Sequence, residues 1–296
     1  MKKILSLILA ACMLVSAAMF CSCGQETSKV DMSAITDLAG LKGLKIAAQT
    51  GTFHADALDQ IEDVEKSTLP EFTDLLAALK SGTINGYIAE EPTAIAECLK
   101  DSGLDYIHLV NNSTGFTATD ADVGIAVGLK KGSELTENIN AILAEITDEQ
   151  RSELMNQMVQ LSAGQKVDTL AISSETPATT NGTLKVAMEC AYQPFNWTDL
   201  NTPSTGAVAI YDANGEVREG SYANGYDVQI AKYVADKLGM KLEIYSIEWD
   251  SLLPAVQSGT VDAIIAGMSP TEERKQEVDF SNVYYSSNLV VIYKKY

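Results

Sequence analysis

Histidine, cysteine and basic side chains are scarce in this chain of 296 residues. There are two histidines, His54 and His108, and five cysteines. Cys12, Cys21 and Cys23 sit in the opening segment, which leaves Cys98 and Cys190 far apart and outside any CxxC spacing. No metal or redox centre is expected from so few ligands, and the spacing does not decide whether the last two cysteines pair. Lys and Arg number 21 against 40 Asp and Glu, a formal net charge of −19. That balance excludes the basic footprint of a nucleic-acid-binding protein. Long apolar runs are missing after the first 23 residues, so a multi-span membrane protein is excluded too. The length fits two domains.

The opening segment is a separate unit. Met1-Lys2-Lys3 precedes an uncharged stretch, residues 4–23, that ends Phe20-Cys21-Ser22-Cys23-Gly24. A basic start, an apolar run and small residues make a secretory leader. It resembles a bacterial lipoprotein signal, with Cys23 as the lipidated mature N-terminus. Residues 1–22 are then the signal peptide and 23–40 a tether, and the protein is exported and lipid-anchored on the outer face of the cell membrane. An uncleaved anchor is the other reading, because the run approaches bilayer-spanning length.

Beyond the tether, short apolar runs alternate with amphipathic stretches. Strands are expected at 44–48, 84–89, 106–110, 123–129, 184–188, 207–211, 242–245, 263–266 and 289–293. Helices are expected at 72–79, closed by Ser81-Gly82, at 226–238, stopped by Gly239, at 252–257 and at 272–278. Ser133 and the Thr147/Gln150 capping box open two more. Asn214-Gly215 marks a hairpin. Residues 162–181 are polar and aperiodic and read as a linker. The alternation is that of an α/β protein.

An internal repeat is more specific than any single motif. Residues 75–89 read LLAALKSGTINGYIA and residues 252–266 read LLPAVQSGTVDAIIA, identical at 8 of 15 positions with an offset of 177. Each copy is a helix, a Ser-Gly-Thr turn and a strand. Two lobes of related architecture follow, or else chance likeness between two helix–strand units. Ligands of open α/β sheets bind beyond the carboxyl ends of strands. Glu90-Glu91-Pro92 follows one strand and Gly267-Met268-Ser269 the other. Gly267 permits close backbone approach, Ser269 offers a hydroxyl and an N–H, and Arg274 offers a two-pronged donor for a carboxylate. Gln49-Thr50-Gly51-Thr52-Phe53 is the corresponding turn of the first half, and Glu90 supplies a negative charge. A carboxylate site beside an anion for an ammonium describes an α-amino acid.

These residues are carried by a wider set: Glu189 to Phe195, Gly225-Tyr226-Asp227-Val228, Trp249 to Pro254, Gly267 to Arg274, Asp279-Phe280-Ser281 with Tyr284-Tyr285, Gln49 to Phe53, and Glu90-Glu91-Pro92. Together they resemble the extracellular amino-acid-binding proteins of ABC transporters, solute-binding protein family 3. The resemblance implies a two-lobed type II periplasmic-binding-protein fold with a hinge, a free amino acid as ligand, an ABC permease as partner, no cofactor and a monomer. The order of the lobes is exchanged. Residues 41–120 resemble the family's second, smaller lobe, 121–162 a hinge strand and helices, 163–182 a linker, and 183–296 the first, larger lobe with a hinge strand. That is the pattern of a circular permutation, or of a tandem protein whose halves pair between chains.

The resemblance also implies roles. Arg274 holds the α-carboxylate with Ser269 and the N–H groups of Thr271 and Thr52. The Gly267 carbonyl and Glu90 hold the α-ammonium; Asp is more usual at the Glu90 position. Tyr192 and Trp249 sandwich the side chain, Gln49 and Phe53 line the turn, and Glu189 meets the distal group. A carboxylate there suggests a cationic ligand, arginine or lysine, while cystine, glutamine and histidine stay open. Glu189 paired with a protein donor is the bland alternative. An enzyme of the same fold, a dehydratase of arogenate or a related cyclohexadienyl compound, is the rival from another class.

Overall fold

The computed structural model describes residues 29–172, 174, 181–212 and 214–296. The expected signal peptide and Cys23 lie outside the described residues, as do 173 and 175–180 of the expected linker.

In chain order the first third holds β1 (Lys45–Gln49), α1 (Phe53–Ala57), β2 (Glu65–Leu69), α2 (Phe72–Ser81), β3 (Gly86–Glu90), α3 (Glu91–Lys100) and β4 (Leu104–Ile107). Next come α4 (Asp120–Val123), β5 (Gly124–Ile125), β6 (Gly128–Leu129), α5 (Leu135–Leu143) and α6 (Asp148–Ser162). The last third holds β7 (Thr183–Met188), β8 (Ala191–Tyr192), β9 (Asn196–Leu200), β10 (Val208–Tyr211), β11 (Val217–Asn224), α7 (Tyr226–Leu238) and β12 (Lys241–Ser246). It ends with α8 (Leu252–Ser258), β13 (Ala263–Ile264), α9 (Arg274–Glu277), β14 (Asp279–Phe280), β15 (Tyr285–Ser286) and β16 (Leu289–Lys294).

Two large sheets and a two-stranded one, β15-β5, divide these strands, and the two-lobed α/β architecture is as expected. The first sheet runs β2-β1-β3-β16-β4, with β1 parallel to β2 and β3, and β16 antiparallel to β3 and β4. The second runs β14-β6-β13-β7-β12-β10-β11-β9-β8. β1 and β3 are buried on both faces, as parallel strands under helices are. Ile46, Ile88 and Val291 fill one core; Leu184, Val186, Ile230, Val234 and Ile244 fill the other, all at 0% exposure.

The chain passes between the lobes where β5 pairs with β15, Ile125 opposite Tyr285. Residues 123–129 therefore do not form the single strand that their apolar run suggests. Residues 124–125 pair with β15, whereas 128–129 pair with β13 and β14, and different partners split the strand. The strand expected at 106–110 instead spans 104–107, because β16 offers partners only there. β2 and α3 are among the elements that escaped the pattern. β2 is an exposed edge strand without apolar alternation, and α3 opens on Glu91-Pro92, where proline is welcome in the first turn.

The repeat is structural as well as sequential. Gly82 and Gly259 end their helices in the left-handed region, at φ 77° and 78°. Ser81 and Ser258 each donate to the carbonyl three residues back at 3.0 Å, from Ala78 and Ala255. Asn85 and Asp262 each accept the N–H of a strand lysine, Lys45 at 2.9 Å and Lys185 at 2.8 Å. Those lysines lie in equivalent strands, Leu44 to Gln49 reading LKIAAQ and Leu184 to Glu189 reading LKVAME. The lobes are two versions of one βα plan, in which Gln49 ends β1 and Glu189 follows β7.

Candidate functional site

The carboxyl ends of β1, β3, β7 and β13 face one cleft. Gln49, Thr52, Phe53, His54, Phe72 and Glu90 from the first lobe, with Tyr192, Trp249, Gly267, Ser269 and Arg274 from the second, enclose a cavity of about 20 Å³. Ten of the eleven expected ligand-binding residues are thereby placed: nine line this cavity, and Glu189 joins it through Gln49. Thr271 lines the adjoining mouth with Asp56, Glu273 and Glu277, where its hydroxyl accepts the Arg274 N–H at 3.4 Å. Such a volume holds about one water, so a ligand reaches the site only when the lobes part.

Arg274 begins α9, and its guanidinium joins the lobes. Nη1 donates to the Ser269 carbonyl and Nη2 to the Gly51 carbonyl of the opposite lobe, each at 2.9 Å. The guanidinium carbon stands 5.3 Å from the centre of the Trp249 ring, a cation–π contact. Trp249 Nε1 also reaches the Gly51 carbonyl, at 3.4 Å. Burial pulls the Arg274 pKa down to about 10. Among the described residues Arg274 has no carboxylate ion-pair partner. Its charge is therefore met by carbonyl dipoles and an aromatic face, which leaves it strongly attractive to an anion.

Glu90 ends β3 and stands just before α3. It is 5% exposed, and its Oε1 lies 3.1 Å from His54 Nε2. Glu90 Oε2, His54 Nδ1 and the Tyr192 hydroxyl are buried without a hydrogen-bond partner. Each such group is costly to bury, so three in one cavity mark a place for a polar ligand.

Glu189 is held differently. Gln49 Nε2 lies 3.1 and 3.2 Å from its two carboxylate oxygens, and the same nitrogen is 3.0 Å from the Pro70 carbonyl. Burial pushes the Glu189 carboxyl up to about 7, opposed by the Gln49 hydrogen bond and assisted by Glu71 and Glu248. The pairing of Glu189 with a protein donor, weighed from sequence as the bland alternative, is the observed geometry.

Tyr192 stacks on Phe72 of the opposite lobe, centroids 3.8 Å apart and planes within 10°. Trp249 stands over Arg274 instead of facing Tyr192, so the aromatic partner across Tyr192 is Phe72. Sequence reasoning passed over Phe72, although a signal existed. Phe72 and Trp249 are 177 residues apart, the offset of the repeat, and Glu71 precedes one as Glu248 precedes the other. His54 was also missed; a lone histidine beyond a turn carries no pattern of its own.

Behind the cleft, Asp227 orders the loops. It is fully buried and accepts from Tyr284 Oη at 2.7 Å and Asn196 Nδ2 at 2.9 Å, while Asn196 Oδ1 accepts the Cys190 N–H at 2.8 Å. The Gly267 N–H also reaches Asp227. This network ties together the turns that carry Glu189 and Gly267. Gly267 has φ 64°, which strains any other residue, and a Cβ there would crowd the Tyr192 ring at 3.3 Å. Cys98 and Cys190 are free thiols. Among the described residues no cluster of metal-ligating side chains occurs, and no helix is long and apolar enough to cross a membrane.

Comparison with known proteins places this site in context. Residues 184–296 match the model of bacterial extracellular solute-binding proteins, family 3. An arginine-binding extracellular protein of Bacillus subtilis is 44% identical over 80 residues, 27% of this chain and 31% of that protein. A glutamine-binding protein of Geobacillus stearothermophilus is 34% identical over 136 residues, 42% and 45% of the two chains. The arginine-bound form of domain 1 from TmArgBP is 31% identical over 38% of this chain and 80% of that one, with a TM-score of 0.27. The chain spans about a quarter to just under a half of the length of the curated relatives it matches. On the matched segment, residues 184–296, the chain is similar to the bacterial extracellular solute-binding proteins, family 3.

Proposed function

We propose that the cleft binds a free L-amino acid, a cationic one first of all, and that the closed protein presents it to an ABC permease. One observation carries the reading: Arg274 and the unsatisfied oxygen of Glu90 set opposite charges on the two lobes around one small cavity. A zwitterion answers both. Arg274, Ser269 and the N–H groups of Thr52 and Thr271 take the α-carboxylate; Glu90 and the Gly267 carbonyl take the α-ammonium. Tyr192, Phe72, Trp249 and Phe53 line the side chain's path, and Glu189 with Gln49 meets its end. Bridging the lobes, the ligand favours the closed population. The site has no need of a reaction, and we read the protein as non-enzymatic.

The Gln49–Glu189 pair supports a second reading. Both Glu189 oxygens already accept from an amide, which suits a neutral polar end such as that of glutamine as well as a guanidinium. A thermal-shift screen of the common amino acids and cystine separates the two, because a ligand bound only by the native state raises Tm. The largest shift is expected from arginine or lysine; a shift from glutamine alone selects the second reading, and no shift from any amino acid removes both. Product formed from arogenate or prephenate would move the protein to the enzyme class.

We also infer that the chain is a circular permutation within one polypeptide, exported and held by a lipid on Cys23. In support of permutation, β16 from the end of the chain lies between β3 and β4, and Lys29 Nζ stands 5.5 Å from the centre of the Tyr296 ring.

A further inference from the structure

His54 is the one polar side chain of the cavity to which no role has been given. It is 7% exposed, and its ring is fixed from two sides. Nε2 faces Glu90 Oε1 at 3.1 Å, and the ring meets Phe72 edge to face at 5.9 Å between centroids. A carboxylate oxygen only accepts hydrogen bonds, so the proton of the ring belongs on Nε2. In that tautomer Nδ1 carries a lone pair. Nδ1 is buried without a hydrogen-bond partner, as is Glu90 Oε2, and both residues line the same cavity.

We propose that His54 is a specificity-determining residue for a primary ammonium: Nδ1 accepts one N–H of the ligand's α-amino group while Nε2 orients Glu90. The assignment rests on the amino-acid reading above. An ammonium has three N–H donors, and Glu90 Oε2, the Gly267 carbonyl and His54 Nδ1 are three acceptors. A carboxylate alone tolerates a methylated amine, since its charge remains. A ring acceptor packed against Phe72 has no room for a methyl group and no proton to meet it. The longer side chain at position 90, glutamate where aspartate is usual, leaves one oxygen free for the ligand because His54 holds the other.

The test is calorimetric titration with L-arginine, L-glutamine, L-histidine and L-cystine, and with the α-N-methyl and α-N,N-dimethyl forms of those that bind. The wild-type protein is expected to bind a parent amino acid at least about tenfold more tightly than its dimethyl form, the worth of one hydrogen bond at a charged group. His54→Phe is expected to weaken the parent about tenfold and to erase most of that discrimination, whereas His54→Gln, which keeps a donor and an acceptor, retains it. A wild-type protein that does not discriminate overturns the proposal without any variant. So does a His54→Phe protein of unchanged discrimination, whatever its affinity. Nitrogen shifts of the ring, simple to assign with two histidines in the sequence, are expected to place the proton on Nε2 in the bound protein; a proton on Nδ1 overturns the assignment. If none of the four amino acids binds the wild type, the amino-acid reading fails and this proposal with it.

Discussion

Gln49 donates to both carboxylate oxygens of Glu189, at 3.1 and 3.2 Å, across the cleft between the lobes. Gln49 ends β1 and Glu189 follows β7, the corresponding strands of the two lobes, so the shared βα plan places one polar side chain opposite the other. The exchange of an amide for a carboxylate between the two copies makes them partners instead of rivals.

Glu189→Gln is expected to weaken L-arginine by about tenfold or more, since it removes a charge-assisted hydrogen bond, and to change L-glutamine by less than about threefold. Titration calorimetry of both ligands checks this. Equal losses would show that Glu189 does not read the charge of the distal group.

The same residue sets a pH dependence. Its carboxyl is raised by burial from an ordinary 4.5 to about 7. Between those values the folded chain keeps a proton that the unfolded chain has released, so this group's contribution to stability falls as pH rises. It is whole below the ordinary value and lost above about 7. Melting curves of the ligand-free protein and of Glu189→Gln are expected to diverge over that interval, with the variant gaining relative to wild type as pH rises. Parallel curves would contradict the raised carboxyl.

Arg274→Ala removes the proposed carboxylate clamp and the contact to Gly51 together. Amino-acid affinity is expected to fall about 100-fold or more, the cost of leaving a buried charge unpaired. Unchanged affinity would place the ligand's carboxylate elsewhere.

Phe72→Ala empties one side of the stack on Tyr192. Urea unfolding is expected to show a loss of about 3 kcal/mol, near the low end for a buried Phe→Ala change, with an unaltered dependence on denaturant. Phe72→Leu should recover most of it. Loss under 1 kcal/mol would mean that the lobes are apart in solution and Phe72 is already wet.

A protein rejoined from Tyr296 to Lys29 through a short Gly-Ser link, and opened among residues 173–180, is expected to fold and to bind the same amino acid as the original order. Circular dichroism and calorimetry decide. Failure of this chain to fold, or a cleft found to be assembled from two molecules, would remove the permutation.

Much of the local structure was legible. The capping box that opens α6 is present as Thr147 and Gln150 predict, with Thr147 Oγ1 accepting at 3.2 Å and Gln150 Oε1 at 3.0 Å. Gly239 stops α7 in the left-handed region, and β1, α8 and β16 fall where the apolar pattern puts them. Edge strand β2 and the proline-led α3 were not legible, because neither carries an apolar period. The expected site residues came together with the exception of Thr271, at the mouth, but their contacts were not foreseen. Phe72, not Trp249, covers Tyr192, and His54 stands beside Glu90.

The division has a physical cause. Periodicity, caps and the repeat are written along the chain, since each depends on residues a few positions apart, and they determined an α/β protein of two related halves with Glu90 at a strand end and Arg274 at a helix start. Who touches whom across the cleft depends on residues far apart in the chain, such as Gln49 with Glu189 and Arg274 with Gly51. Only the packing of one lobe on the other decided that Arg274 is left with carbonyls, that Glu189 is already answered, and that Glu90, His54 and Tyr192 are left unsatisfied. Those three atoms have no signature in sequence, because being without a partner is a property of the whole fold.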